Sequence, residues 1–138
     1  MALDAILDTR FYFSYYNPED DNVAKWTKRI VQLASRGAIR LGSSVVTITE
    51  LYRTMGKLIG VKTVEMRIKS SKAFNITFIP VTEEVAKKAG LISLKVRVPI
   101  ADAIIAATAL IYAKGIVITD DEHFELIEGV KPKWLTEI

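Results

Sequence analysis

Short apolar stretches alternate with longer segments of helical period along the whole chain, and few folds accommodate that order. Residues 3–7 form the first apolar stretch and end at Asp8. A helix is predicted from Asp20 or Asp21, either of which can cap it, to about Ser35, with Gly37 as its stop. A short strand is predicted over 38–41. Ser43 or Ser44 would then cap a helix reaching about Leu58 and ended by Gly60. Residues 61–73 suit another helix, and 75–80 alternate enough to be a strand. Thr82, Glu83 and Glu84 open a helix to about Leu94, with acids suitably placed in its first turn. Pro99 suits the start of a helix to about Lys114, with Gly115 as its stop. That helix is apolar nearly all round, so it should be buried on most sides. Strands at 116–119 and near 133–135 complete the pattern.

Strands alternating with helices predict a mainly parallel sheet covered on both faces. The 138 residues make one α/β domain, an α/β/α sandwich spanning 1–138. In such sheets ligands bind beyond the carboxyl ends of the strands. The acids stand out at the ends of these elements. Asp8 closes Ala5-Ile6-Leu7, Asp102 opens the apolar helix, and Asp120 and Asp121 follow Ile116-Val117-Ile118-Thr119. Glu50 lies beside the inner stripe of its helix, formed by Ile48, Leu51, Tyr52 and Met55. Singly, each acid could be a cap or a surface partner. Brought together, carboxylates raise one another's pKa and need a cation. A divalent metal site with phosphoryl-transfer chemistry is the simplest account of such a group.

Composition removes the competing chemistries. Cysteine is absent and His123 is the only histidine, which excludes thiolate sites, cysteine nucleophiles and multi-histidine zinc. His123 reads as a surface or turn residue rather than a catalyst. No apolar run reaches the roughly 18 residues of a membrane span, and no signal peptide is evident, so a cytoplasmic protein is expected. Charge is unevenly spread. Residues 23–72 carry eleven Lys or Arg against two acids, while both flanks are net acidic. A basic middle suits a polyanionic partner or, equally, solvated helix faces. The aromatic run Phe11-Tyr12-Phe13 with Tyr15 and Tyr16 suits core or an oligomer interface better than base stacking.

The blocks Ala5-Ile6-Leu7-Asp8-Thr9, Ser44-Val45-Val46-Thr47-Ile48-Thr49-Glu50-Leu51, Ala101-Asp102-Ala103-Ile104-Ile105-Ala106-Ala107-Thr108-Ala109 and Thr119-Asp120-Asp121-Glu122-His123-Phe124 together resemble the PIN-domain nucleases. They look closest to the small single-domain VapC-like toxins. The resemblance implies Asp8, Glu50 and Asp102 as metal-binding catalytic acids. Asp121 falls on the fourth acidic position, with its neighbour Asp120 as a substitute. Thr9 and Thr119 match small hydroxyl positions that would hold carboxylates or water. Where the family often has a further Asp before the Phe, this chain has His123.

The implied activity is Mg²⁺- or Mn²⁺-dependent endonucleolytic hydrolysis of RNA, single-stranded or in a loop. Arg10, Arg53 and Lys57 are candidate contacts to its backbone. The implied partners are a cognate antitoxin and a second copy of the chain. A non-catalytic PIN-like RNA-binding or scaffold module is the alternative, which loss of acids would favour; all are present. A DNA substrate also stays open, because phosphate contacts carry no base or sugar identity. A haloacid-dehalogenase phosphatase would want an acid where Arg10 stands. A phosphoacceptor receiver domain would want its paired acids early in the chain.

Overall fold

The computed structural model describes residues 2–138. Five strands form one sheet: β1 (Ala5–Leu7), β2 (Leu41–Ser44), β3 (Thr77–Ile79), β4 (Ile116–Ile118) and β5 (Lys131–Lys133). Their order is β3-β2-β1-β4-β5, and every pair is parallel. Each crossover therefore needs a helical connection. Six helices supply three of the four connections and cover the sheet: α1 (Thr9–Tyr16), α2 (Asp21–Ser35), α3 (Val46–Ile59), α4 (Val61–Ala73), α5 (Glu83–Lys95) and α6 (Ile100–Tyr112); the fourth, from β4 to β5, runs through a 3₁₀ turn at Glu122–Leu126. The expected single α/β domain with helices on both faces is the observed one. Among the described residues, no helix is long and apolar enough to cross a membrane.

The two-residue period of β1 divides the core. Ile6 packs with Val85, Ala106 and Phe124 on the α5–α6 face. Ala5 and Leu7 pack with Phe11, Ile30, Leu51 and Val64 on the α1–α4 face. The all-round apolar helix is α6, and its Ala103, Ile105, Ala106, Ala107 and Ala109 are fully buried. The aromatic run lies in α1. There Phe11 and Tyr12 are core residues, and Phe11 packs against Tyr15, Trp26 and Trp134.

Three expectations shift in register. The strand placed at 38–41 begins only at Leu41. Residues before it close α2, where Gly37 adopts φ 75° and the Ala38 N–H donates to the Leu33 carbonyl at 2.9 Å. Ser43 and Ser44 are consequently the buried end of β2, and α3 starts at Val46. Ser44 still accepts from the Val46 N–H at 3.2 Å, whereas the Ser43 hydroxyl meets Tyr12 Oη at 2.6 Å. The last strand lies at Lys131–Lys133, and Leu135, with φ 52°, cannot extend it. Pro132 is tolerated there because β5 is an edge strand. Gly115 turns α6 into β4 at φ 82°, where a Cβ would press on the Gly129 carbonyl.

The strand order reverses beside β1. From β1 the chain moves outward through β2 and β3, then returns to β4 on the other side. The carboxyl ends of β1 and β4 flank that reversal, which is where open α/β sheets bind ligands.

Candidate active site

Asp8 is the residue after β1, with 2% of its surface exposed. Its two oxygens have separate partners. Oδ1 accepts from the Thr9 N–H at 2.8 Å, capping α1, and Oδ2 accepts from the Thr119 hydroxyl at 2.7 Å. The cap reading of Asp8 was thus correct and incomplete, since one oxygen bonds across to the end of β4. Burial pushes the Asp8 carboxyl from 3.8 up to about 7. The Thr119 and Thr9 donors oppose that shift, while Asp102 and Glu50 add to it.

Glu50 arrives from α3, where it accepts a 2.6 Å hydrogen bond from the Thr9 hydroxyl. Thr9 Oγ1 also lies 3.0 Å from Thr47 Oγ1. Because Thr9 spends its single proton on Glu50, Thr47 is the donor of that second bond. Asp102 lies in the first turn of α6, and burial, then Asp121, then Glu50 raise its carboxyl to about 6. His123 and Arg10 pull it the other way. Asp121 begins the short 3₁₀ turn Glu122–Leu126, and its N–H donates to Thr119 Oγ1 at 3.0 Å. One ligand atom each from Asp102, Asp121 and His123 lies within 4.8 Å of the others.

Four carboxylates from four separate elements therefore share one sheet edge, and their charges disfavour one another. Oxygen donors in this number, two of them held above the usual carboxylate range, have the chemistry of a hard divalent cation site.

The PIN domain model matches residues 5–130. This chain belongs to the PIN domain family. No curated protein matches it by sequence. Solved structures match by fold over nearly the whole length. A chain of the DNA-bound VapBC from Salmonella typhimurium has a TM-score of 0.72 and 20% identity, over 97% of this chain and 99% of that one. A chain of VapBC2 from Rickettsia felis, bound to a DNA fragment from its promoter, has a TM-score of 0.72 and 15% identity, covering 94% and 97%. A toxin–antitoxin complex from Klebsiella pneumoniae gives 0.66 and 19%, covering 97% and 99%.

Within this PIN domain, Asp120 stands apart from its neighbour. It pairs with Arg10 Nε at 2.5 Å, and the Arg10 side chain is half exposed. Arg53 and Lys57 are exposed on α3, three and seven positions after Glu50, and so share its side of the helix. Arg67 is engaged differently: its guanidinium stacks 4.2 Å over the Tyr16 ring. A groove of 630 Å³ runs from Arg10 and Asp120 past Phe13 and Met55 to Leu58 and Arg67. Sequence reasoning overlooked Thr47, whose side chain is fully buried beneath Thr9 and Glu50. Its place one helical turn before Glu50 was the available signal. The Arg10–Asp120 pair, 110 positions apart, had no local signal.

Proposed function

We propose that this PIN domain is a Mg²⁺- or Mn²⁺-dependent endoribonuclease, the toxin of a toxin–antitoxin pair acting in the cytoplasm. The carrying observation is the convergence of Asp8, Glu50, Asp102 and Asp121 at the carboxyl edge of the sheet, with Asp8 and Asp102 above the usual carboxylate range. A divalent ion bound there supplies positive charge that lowers the pKa of an attacking water and stabilises the leaving oxygen.

Asp8, Asp102 and Asp121 hold the ion in this reading, and Glu50 binds it or orients the water. Asp120 is a reserve, since Arg10 already occupies it. Thr119 fixes Asp8 and the backbone of Asp121 in one geometry, and Thr9 fixes Glu50. The water oxygen bonds to phosphorus, the bond from phosphorus to one sugar oxygen breaks, and that oxygen takes up a proton. Arg10, Arg53 and Lys57 hold the flanking phosphates. Single-stranded or loop RNA suits this open edge, because its bases are accessible.

The toxin–antitoxin reading draws on the fold-level likeness to VapBC proteins. The groove beside the site suits an antitoxin segment, with Leu58 84% exposed at its rim. Leu91 and Leu94 on α5 are also exposed, and a second copy of the chain is the partner we assign to them.

The test is incubation of purified protein with unstructured RNA, structured RNA and single-stranded DNA, each with Mg²⁺, Mn²⁺ or EDTA. Cleavage of unstructured RNA that EDTA abolishes is expected. Binding of RNA without cleavage in any metal would replace this reading with a non-catalytic RNA-binding module.

A further inference from the structure

We propose that His123 supplies a nitrogen ligand to the metal centre and biases it toward Mn²⁺ and later first-row ions over Mg²⁺. This inference rests on the metal site proposed above and adds to it a donor of different chemistry. His123 sits in the 3₁₀ turn after β4, on a backbone anchored by the fully buried Phe124. Its own N–H donates to Asp121 Oδ1 at 2.9 Å, and its ring Nδ1 lies 2.9 Å from that same oxygen. Two adjacent ligands on an octahedral ion, with bonds of about 2.1 Å, are about 3.0 Å apart. The Nδ1–Oδ1 spacing therefore already matches a neighbouring pair of coordination positions. Asp102 completes the set, since one ligand atom each from Asp102, Asp121 and His123 lies within 4.8 Å of the others. The imidazole is 56% exposed, so small adjustments of the ring meet little packing resistance.

Imidazole nitrogen changes what the site prefers. Mg²⁺ favours oxygen ligands and keeps its waters. Affinity of mixed nitrogen and oxygen sites rises from Mn²⁺ toward Co²⁺ and Ni²⁺. An all-carboxylate centre would lack that bias.

The experiment uses the full chain loaded with Mn²⁺ and pulsed electron paramagnetic resonance to read nitrogen bound to the ion. Wild type is expected to show ¹⁴N modulation from a directly coordinated imidazole, and His123→Ala is expected to lose it. Calorimetric titration should show His123→Ala binding Mn²⁺ about tenfold more weakly, the low end for disturbing a metal's surroundings, with Mg²⁺ affinity changed less than threefold. His123→Asp should restore affinity for both ions without restoring the ¹⁴N signal. Mn²⁺ bound by wild type without ¹⁴N modulation would overturn the role of His123 and leave the carboxylate site standing. Equal loss of both metals in His123→Ala would also overturn the selectivity. Absence of Mn²⁺ binding by the folded wild type would overturn this inference together with the metal site itself.

Discussion

Replacing Asp8 by Asn should make the metal-free protein more stable at pH 8, although it removes the residue at the heart of the site. Asp8 is buried, and its carboxyl is held at about 7 instead of 3.8. Between those values the folded protein keeps a proton that the unfolded chain has released. The stability associated with this group is therefore fully present below about pH 4 and is lost as pH rises through about 7. The shift corresponds to about 4 kcal/mol of penalty on the folded state at alkaline pH. Asn is neutral and nearly isosteric, so it escapes that penalty. Its Oδ1 can still accept from the Thr9 N–H, but the Thr119 hydroxyl loses its acceptor, which costs about 1 kcal/mol. A net gain of roughly 2–3 kcal/mol follows, or about 5–10 °C in Tm for a domain of this size. The assay is thermal and urea unfolding of wild type and Asp8→Asn in EDTA from pH 4 to 8.5. Comparing the two isolates Asp8 from the other titrating groups. The gain should vanish near pH 4, where the wild-type carboxyl is already protonated. Added Mn²⁺ should raise the wild-type Tm and leave the variant nearly unchanged. An Asp8→Asn protein that is less stable than wild type at pH 8 would refute the reasoning, because the carboxylate would then be favourable without metal.

Further outcomes follow from the same geometry. Asp121→Asn should reduce RNA cleavage by at least about a hundredfold, consistent with loss of electrostatic stabilisation, whereas Asp120→Asn should stay within about tenfold of wild type; steady-state rates on one oligonucleotide distinguish them. Arg53→Ala with Lys57→Ala should weaken RNA binding at low salt and flatten the dependence of log K on log salt by about 1.4, roughly 0.7 for each lost phosphate contact. Gly115→Ala should lower unfolding free energy by at least about 2 kcal/mol, since both the left-handed φ and the Gly129 carbonyl oppose a Cβ; urea titration checks this.

Legibility in the sequence followed local chemistry. Helix α4 could be bounded at 61–73 because Gly60, at φ 87°, stops α3 and lets α4 begin. Thr82 could be recognised as a cap because its hydroxyl does accept from the Val85 N–H. β2 was misplaced because its sequence, Leu41-Gly42-Ser43-Ser44, lacks the apolar run of a buried strand. Its burial comes from neighbours: Gly42 leaves room for the Leu3 and Ile79 side chains. Asp8 and Asp121 follow parallel strands, whose carboxyl ends the fold brings to one edge, and Asp102 opens α6, whereas Glu50 lies inside α3 and is marked in the sequence only by its place beside that helix's inner stripe. Which of Asp120 and Asp121 joins the group was not readable. Arg10, 110 positions away, pairs with Asp120, while the Asp121 N–H donates to the Thr119 hydroxyl two positions before it.

The most direct test of the account is RNA cleavage by wild type, Asp8→Asn and Asp102→Asn in Mn²⁺, with circular dichroism confirming that all three are folded. The four-carboxylate metal site predicts EDTA-sensitive cleavage by wild type and its loss, by at least about a hundredfold, in both variants. Cleavage that persists in either folded variant, or that survives EDTA, would contradict it.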